Sequence, residues 1–255
     1  MCGAKVALVL FPAALILLST LSAQPLPVHP LNFTTTVEVN STVKVDSSGN
    51  ARIETRMKIS ASREFNLALE RQLSRLEEER DKVIRRLKAA LVLLGYDAEE
   101  VDIRREGSTL IYTLRIKNFA TRLNDTWIIE PRSGLQPLKA PLTTFTSYNV
   151  RQELIFLLPR GAEVLMVSPL PFERQVDSAK VRLNVQVSHD YLTEVRYTYS
   201  AELPPGASLS MLAEQEPVRI IYTYTPPPFS SPAYLALSVL IILASISVAY
   251  RMKAK

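Results

Sequence analysis

Two short strings carry the most suggestive side chains of the 255-residue chain, Arg196-Tyr197-Thr198-Tyr199 and Tyr222-Thr223-Tyr224. In a strand, positions i and i+2 share a face, so each string presents two phenol rings side by side. If the two strands are neighbours, Tyr197, Tyr199, Tyr222 and Tyr224 form a binding face able to stack on sugars or on a partner protein. The plainer reading, which we favour, is that tyrosine and threonine are good strand formers. Three sequons, at Asn32, Asn40 and Asn124, are candidate glycosylation sites.

Catalytic chemistry is harder to assemble. His29 and His189 are the only histidines, and neither has a nucleophile-elbow glycine pattern or metal-ligand spacing around it. Glu77-Glu78-Glu79 and Glu99-Glu100 resemble glycosidase acids only in number. Adjacent residues on a helix point in different directions, so a solvated charged face is expected. The single cysteine, Cys2, lies in the N-terminal apolar stretch, which leaves the rest without thiol chemistry. No catalytic residue, metal ligand or cofactor-binding residue is assigned, and no cofactor is expected.

The net charge of +5 comes from the ends. Setting aside Lys5, Arg251, Lys253 and Lys255 leaves 26 basic residues against 25 acidic ones, so a nucleic-acid partner is not indicated. Lys5 and the apolar run 6–21 read as a signal sequence over residues 1–23. Leu21 fits cleavage after Ala23 poorly, which keeps an uncleaved signal anchor as the alternative. Residues 233–250 contain no charge and, at ~1.5 Å per residue, span a bilayer core as a transmembrane helix. Tyr234 and Tyr250 flank that span, the basic tail 251–255 follows it, and the Pro-rich run 226–232 reads as a stiff stalk. The expected location is therefore the cell membrane, single-pass, with the main domain outside.

Between the ends the expected fold class is α+β. A hairpin is expected over residues 34–45 and 51–59, its turn supplied by Asp46-Ser47-Ser48-Gly49-Asn50. A long helix over 62–94 follows, capped by Ser62 and stopped by Gly95, with leucines in a 4-3 spacing that Arg80 breaks. A second hairpin around Glu106-Gly107-Ser108 completes a hairpin–long helix–hairpin lobe over 31–130. Prolines 131, 137 and 141 read as a linker to a β-sandwich-like lobe over 142–225. A homodimer through helix 62–94 is the less favoured use of the leucines, because Ile84 and Leu91 widen the apolar face beyond a coiled-coil seam.

The strings Leu158-Pro-Arg-Gly-Ala-Glu-Val and Leu203-Pro-Pro-Gly-Ala-Ser-Leu use one strand-turn-strand grammar twice. It is similar to phrases in archaeal membrane-anchored surface proteins of unknown function. The resemblance implies location only. The expected function is non-enzymatic: surface adhesion, envelope structure, or the exported subunit of a membrane complex. Expected partners are the lipid bilayer and another membrane or surface protein. The alternative is a membrane-tethered hydrolase or processing enzyme acting on envelope polymers.

Overall fold

A computed structural model of the chain describes residues 33–60, 70, 73–74, 77–93, 95–130, 146–176, 179–204 and 218–225. The first hairpin forms where its alternation places it, as β1 (Phe33–Val45) and β2 (Ala51–Ser60). Its turn is organised by Asp46, whose Oδ1 accepts the backbone N–H groups of Ser48 at 2.8 Å and Asn50 at 3.0 Å. Gly49 takes φ +80°, and a β-carbon there would stand 2.5 Å from the Trp127 ring and 2.7 Å from the Ala120 carbonyl oxygen.

Helix α1 covers Arg80–Leu93, not the single span 62–94. Residues 70, 73–74 and 77–78 are also helical, but Glu79 is a turn that interrupts the run. Arg80, the residue that breaks the leucine spacing, opens α1. Its Nε donates to the Ile103 carbonyl at 2.8 Å and its guanidinium pairs with Asp102, anchoring the helix start to the neighbouring strand. Gly95, at φ +77°, ends the helix as expected: its N–H donates to Val92 O and the Tyr96 N–H to Leu91 O, a Schellman closure. Leu73, Leu87 and Leu91 are buried in the chain's own core.

Strands β3 (Asp97–Glu106) and β4 (Thr109–Lys117) form the second expected hairpin. The short pair β5 (Ala120–Leu123) and β6 (Thr126–Ile129) follows. Beyond residue 145 come β7 (Thr146–Leu157), β8 (Ala162–Ser168), β9 (Phe172–Val176), β10 (Ala179–His189), β11 (Thr193–Leu203) and β12 (Arg219–Tyr224).

The expected α+β lobe and β-sandwich lobe do not exist as separate layers; the fold is mostly β, with two sheets and the short helix. One sheet of eight strands runs β3-β4-β2-β1-β7-β11-β10-β9, and one of four runs β5-β6-β12-β8. Each draws strands from both sides of residues 131–145. The joint in the large sheet is the parallel pairing of β1 with β7, in which Val37 partners Val150 and Val43 partners Phe156. Local sequence signals cannot reveal such a joint, because the two strands are more than a hundred residues apart.

One face of the large sheet is buried from β4 to β11, and it opens toward the β10–β9 end, where Val187 is 39% exposed. The row Ile103, Tyr112, Leu154 and Tyr197 crosses it, with the buried pair Ser41 and Thr55 at the centre joined by a 2.9 Å hydroxyl contact. The small sheet adds Ile129, Ile220 and Tyr222 to the same core. Along the edge of the small sheet, β8 is capped by side chains of β11. Thr193 Oγ1 donates to Ala162 O at 2.6 Å, and Tyr197 Oη donates to Ser168 O at 3.0 Å.

Among the described residues no helix is long and apolar enough to cross a membrane. The single-pass cell-membrane location and the transmembrane helix expected from hydropathy are corrected accordingly. The apolar runs 6–21 and 233–250 themselves lie outside the described residues, as do the stalk 226–232 and the tail 251–255.

Candidate functional site

The four tyrosines do not form an exposed patch. Tyr197 and Tyr199 belong to β11 in the large sheet, and Tyr222 and Tyr224 to β12 in the small one. Tyr197, Tyr199 and Tyr222 are 0–1% exposed, and Tyr224 is half-buried against the same core. Tyr197 packs edge-on against Phe156 at 6.1 Å between centroids, while Tyr222 stacks on Trp127 at 6.4 Å. Burial pushes the Tyr197 and Tyr222 hydroxyls well above the ordinary phenol range. Tyr197 and Tyr199 do share one face of β11, and that face points inward.

The residues between the tyrosines are the ones that reach solvent. Arg196 lies on the open face of the large sheet and is held between two carboxylates. Its guanidinium donates to Glu153 Oε1 at 2.9 Å and to Glu194 Oε1 at 2.8 Å. The Glu194 contact, its largest influence, raises the arginine above its ordinary value. Strict alternation places Arg196 and Thr198 opposite the tyrosines. That signal was present in the sequence, but nothing in it says which face is buried.

The acidic runs resolve into ion pairs. Glu79 meets Lys82 at 3.0 Å, Glu77 lies 4.0 Å from Arg105, and Glu99 contacts Lys117 at 2.6 Å and Arg115 at 3.4 Å. The Glu99 carboxyl, accepting from Lys117, sits below its ordinary value, and Lys117 is correspondingly raised. Among the described residues no three His, Cys, Asp or Glu side chains gather into a metal-binding set. His189 Nδ1 stands 3.4 Å from Thr193 Oγ1. Because that hydroxyl donates to Ala162, the ring N–H is the donor in this contact. His29 and Asn32 lie outside the described residues.

Of the other two sequons, Asn40 stands exposed in mid-sheet on the open face, between Arg56 of β2 and Glu153 of β7. Asn124 occupies the β5–β6 turn at φ +56°.

Two open surfaces result. The first is the solvent face of the eight-stranded sheet, crossed by the row Asp102, Thr113, Glu54, Thr42, Ile155 and Arg196. The second is the outer face of the small sheet, where Ile128, Ile221 and Met166 are cross-strand neighbours and Leu123 and Leu165 are 62% and 56% exposed. The edges are less available. Strand β3 is dense in charge and carries a bulge between Ala98 and Glu100, β5 is four residues long, and β8 is capped by β11.

A scan against protein-family models finds no match for the chain, and a search of the curated proteins finds none either.

Proposed function

We propose that the chain is a non-enzymatic binding or structural component that works through the open face of its eight-stranded sheet, as a subunit of a larger assembly or an adhesive surface. The observation that carries the reading is the continuity of that face: β1 and β7 join residues from both halves of the chain into one polar surface. A surface of this size suits recognition of an extended partner, and it needs no cleft.

The charge arrangement supports the same reading. Glu153 and Glu194 converge on Arg196, and Glu99 on Lys117 and Arg115, as balanced ion-pair clusters. A glycosidase-type hydrolase needs two carboxyls facing a substrate space with one kept protonated, which a shared guanidinium opposes.

The test is affinity capture of the tagged full-length chain from its own cells, followed by sizing. A partner retained in fixed ratio and released by Asn40→Arg, at the exposed middle of the face, supports the proposal. A partner-free chain that hydrolyses an envelope polymer contradicts it.

A further inference from the structure

The centre of the open face has unbalanced charge. Lys44 and Arg52 are direct cross-strand partners on β1 and β2, and Arg52 is also partnered by Arg115 on β4. Like charges directly opposite one another destabilise a sheet. Arg115 is relieved by Glu99 at 3.4 Å. Lys44 and Arg52 have no such relief, and neither do Lys58 on β2 or Arg151 on β7. Among the described residues none of these four has a carboxylate oxygen within the 4.0 Å of an ion pair. All four are exposed. Of the acids on the same band, Glu54 is taken up by Arg56 at 3.0 Å and Glu153 by Arg196 at 2.9 Å, which leaves Glu38, in register with Lys58 on one side and Arg151 on the other. Toward the flanks the pattern reverses, with Arg104 on Glu106 at 3.6 Å and Arg182 on Glu173 at 2.9 Å.

We propose that this central band, over β2, β1 and β7, binds an anionic polysaccharide. The proposal rests on the reading of the open face as a binding surface. Arg52 and Lys58 stand roughly 20 Å apart along β2, at ~3.4 Å per residue. The cations are therefore spread along a track and do not converge on a single small anion. Between them the face offers amide and hydroxyl groups, from Asn40, Thr42 and Asn149, that match the hydroxyls of a sugar chain. β2, β1 and β7 are each hydrogen-bonded on both sides, so an acidic peptide has no edge here on which to add a strand. A polymer with regularly spaced carboxylates and hydroxyls satisfies both the charge and the polar groups of the track.

The test uses the full chain and fluorescence anisotropy with labelled polygalacturonate, with dextran as the neutral polymer and polyglutamate as the acidic polypeptide. The proposal expects binding to polygalacturonate alone. Lys44→Gln with Arg52→Gln should weaken it about tenfold or more at low salt and flatten the dependence of log affinity on log salt by roughly one to two. Because the double variant removes a like-charge pair, its melting temperature should hold or rise by about 1–2 °C. Lys58→Gln with Arg151→Gln gives the same loss at the other end of the track, and Arg85→Gln with Arg86→Gln on α1 gives none. Failure to bind polygalacturonate, equal binding of dextran, equal or tighter binding of polyglutamate, or indifference to both face variants overturns the proposal. A chain that ignores polygalacturonate yet retains a stoichiometric partner ends this inference and leaves the binding-component reading standing.

Discussion

The hydroxyl of Tyr197, on the large sheet, donates to the carbonyl oxygen of Ser168, at the end of the small one, across 3.0 Å. With Thr193 on Ala162, it ties the two layers together along an edge that would otherwise be open to strand pairing. Tyr197→Phe keeps the ring and its edge-on contact with Phe156 while removing the donor. It should lower stability by about 0.5–1.5 kcal/mol, read as a shift in urea midpoint with unchanged slope. A neutral result would mean that the contact is dispensable.

Gly49 is the second point of contact between layers. Its carbonyl accepts the Ala120 N–H at 2.9 Å, and Trp127 closes over the site where a side chain would stand. Gly49→Ala should cost more than the ~1–2 kcal/mol that left-handed backbone alone imposes on an L-residue, because the indole must also move. Gly107, equally left-handed at φ +61° but with nothing within 4 Å of an added β-carbon, is the control. Gly107→Ala should show the backbone cost only, measured by the same denaturation.

The helix contributes through one narrow stripe. Leu91 is 0% exposed and Leu93, two residues on, is 88% exposed. Leu91→Ala should destabilise by roughly 2–5 kcal/mol, and Leu93→Ala by no more than ~0.5 kcal/mol. Equal effects in thermal melts would contradict the packing of α1 on the sheet.

These positions also show what could be read before the fold was known. The turn Asp46–Asn50, the alternation of β1 and β2 and the stop at Gly95 are local, set by hydrogen bonds within a few residues, and all three were legible. The extent of the helix is not set locally, and Arg80 reads in the sequence as a single flaw in a leucine pattern. Its actual partners, Ile103 and Asp102, lie more than twenty residues on. The β1–β7 joint and the inward turn of Tyr197 and Tyr199 depend on long-range pairing, about which alternation is silent. The candidate site has the same limit: periodicity pairs Tyr197 with Tyr199, while Arg196 and Lys44 stand out only once the buried face is known.

Alkaline pH gives a separate check on the tyrosines. Burial raises Tyr112, Tyr197 and Tyr222 above the ordinary value of ~10, so the folded state holds their protons where the unfolded chain releases them. The resulting stability is fully present below pH ~10 and is lost as pH rises from there through the folded values. Each tyrosine should contribute up to about 1.4 kcal/mol per pH unit to that fall. Urea unfolding between pH 9 and 11 reads the slope; a flat profile would show these phenols to be solvent-accessible.

The central claim is that both halves of the chain build one continuous face through β1 and β7, and cutting the chain between them tests it most directly. A protease site placed at residue 138 separates the halves covalently while leaving every described strand whole. After complete cleavage the two fragments should co-elute as one folded body and part only on denaturation. Two fragments that separate in native buffer, each keeping its own folded β signal, would contradict it.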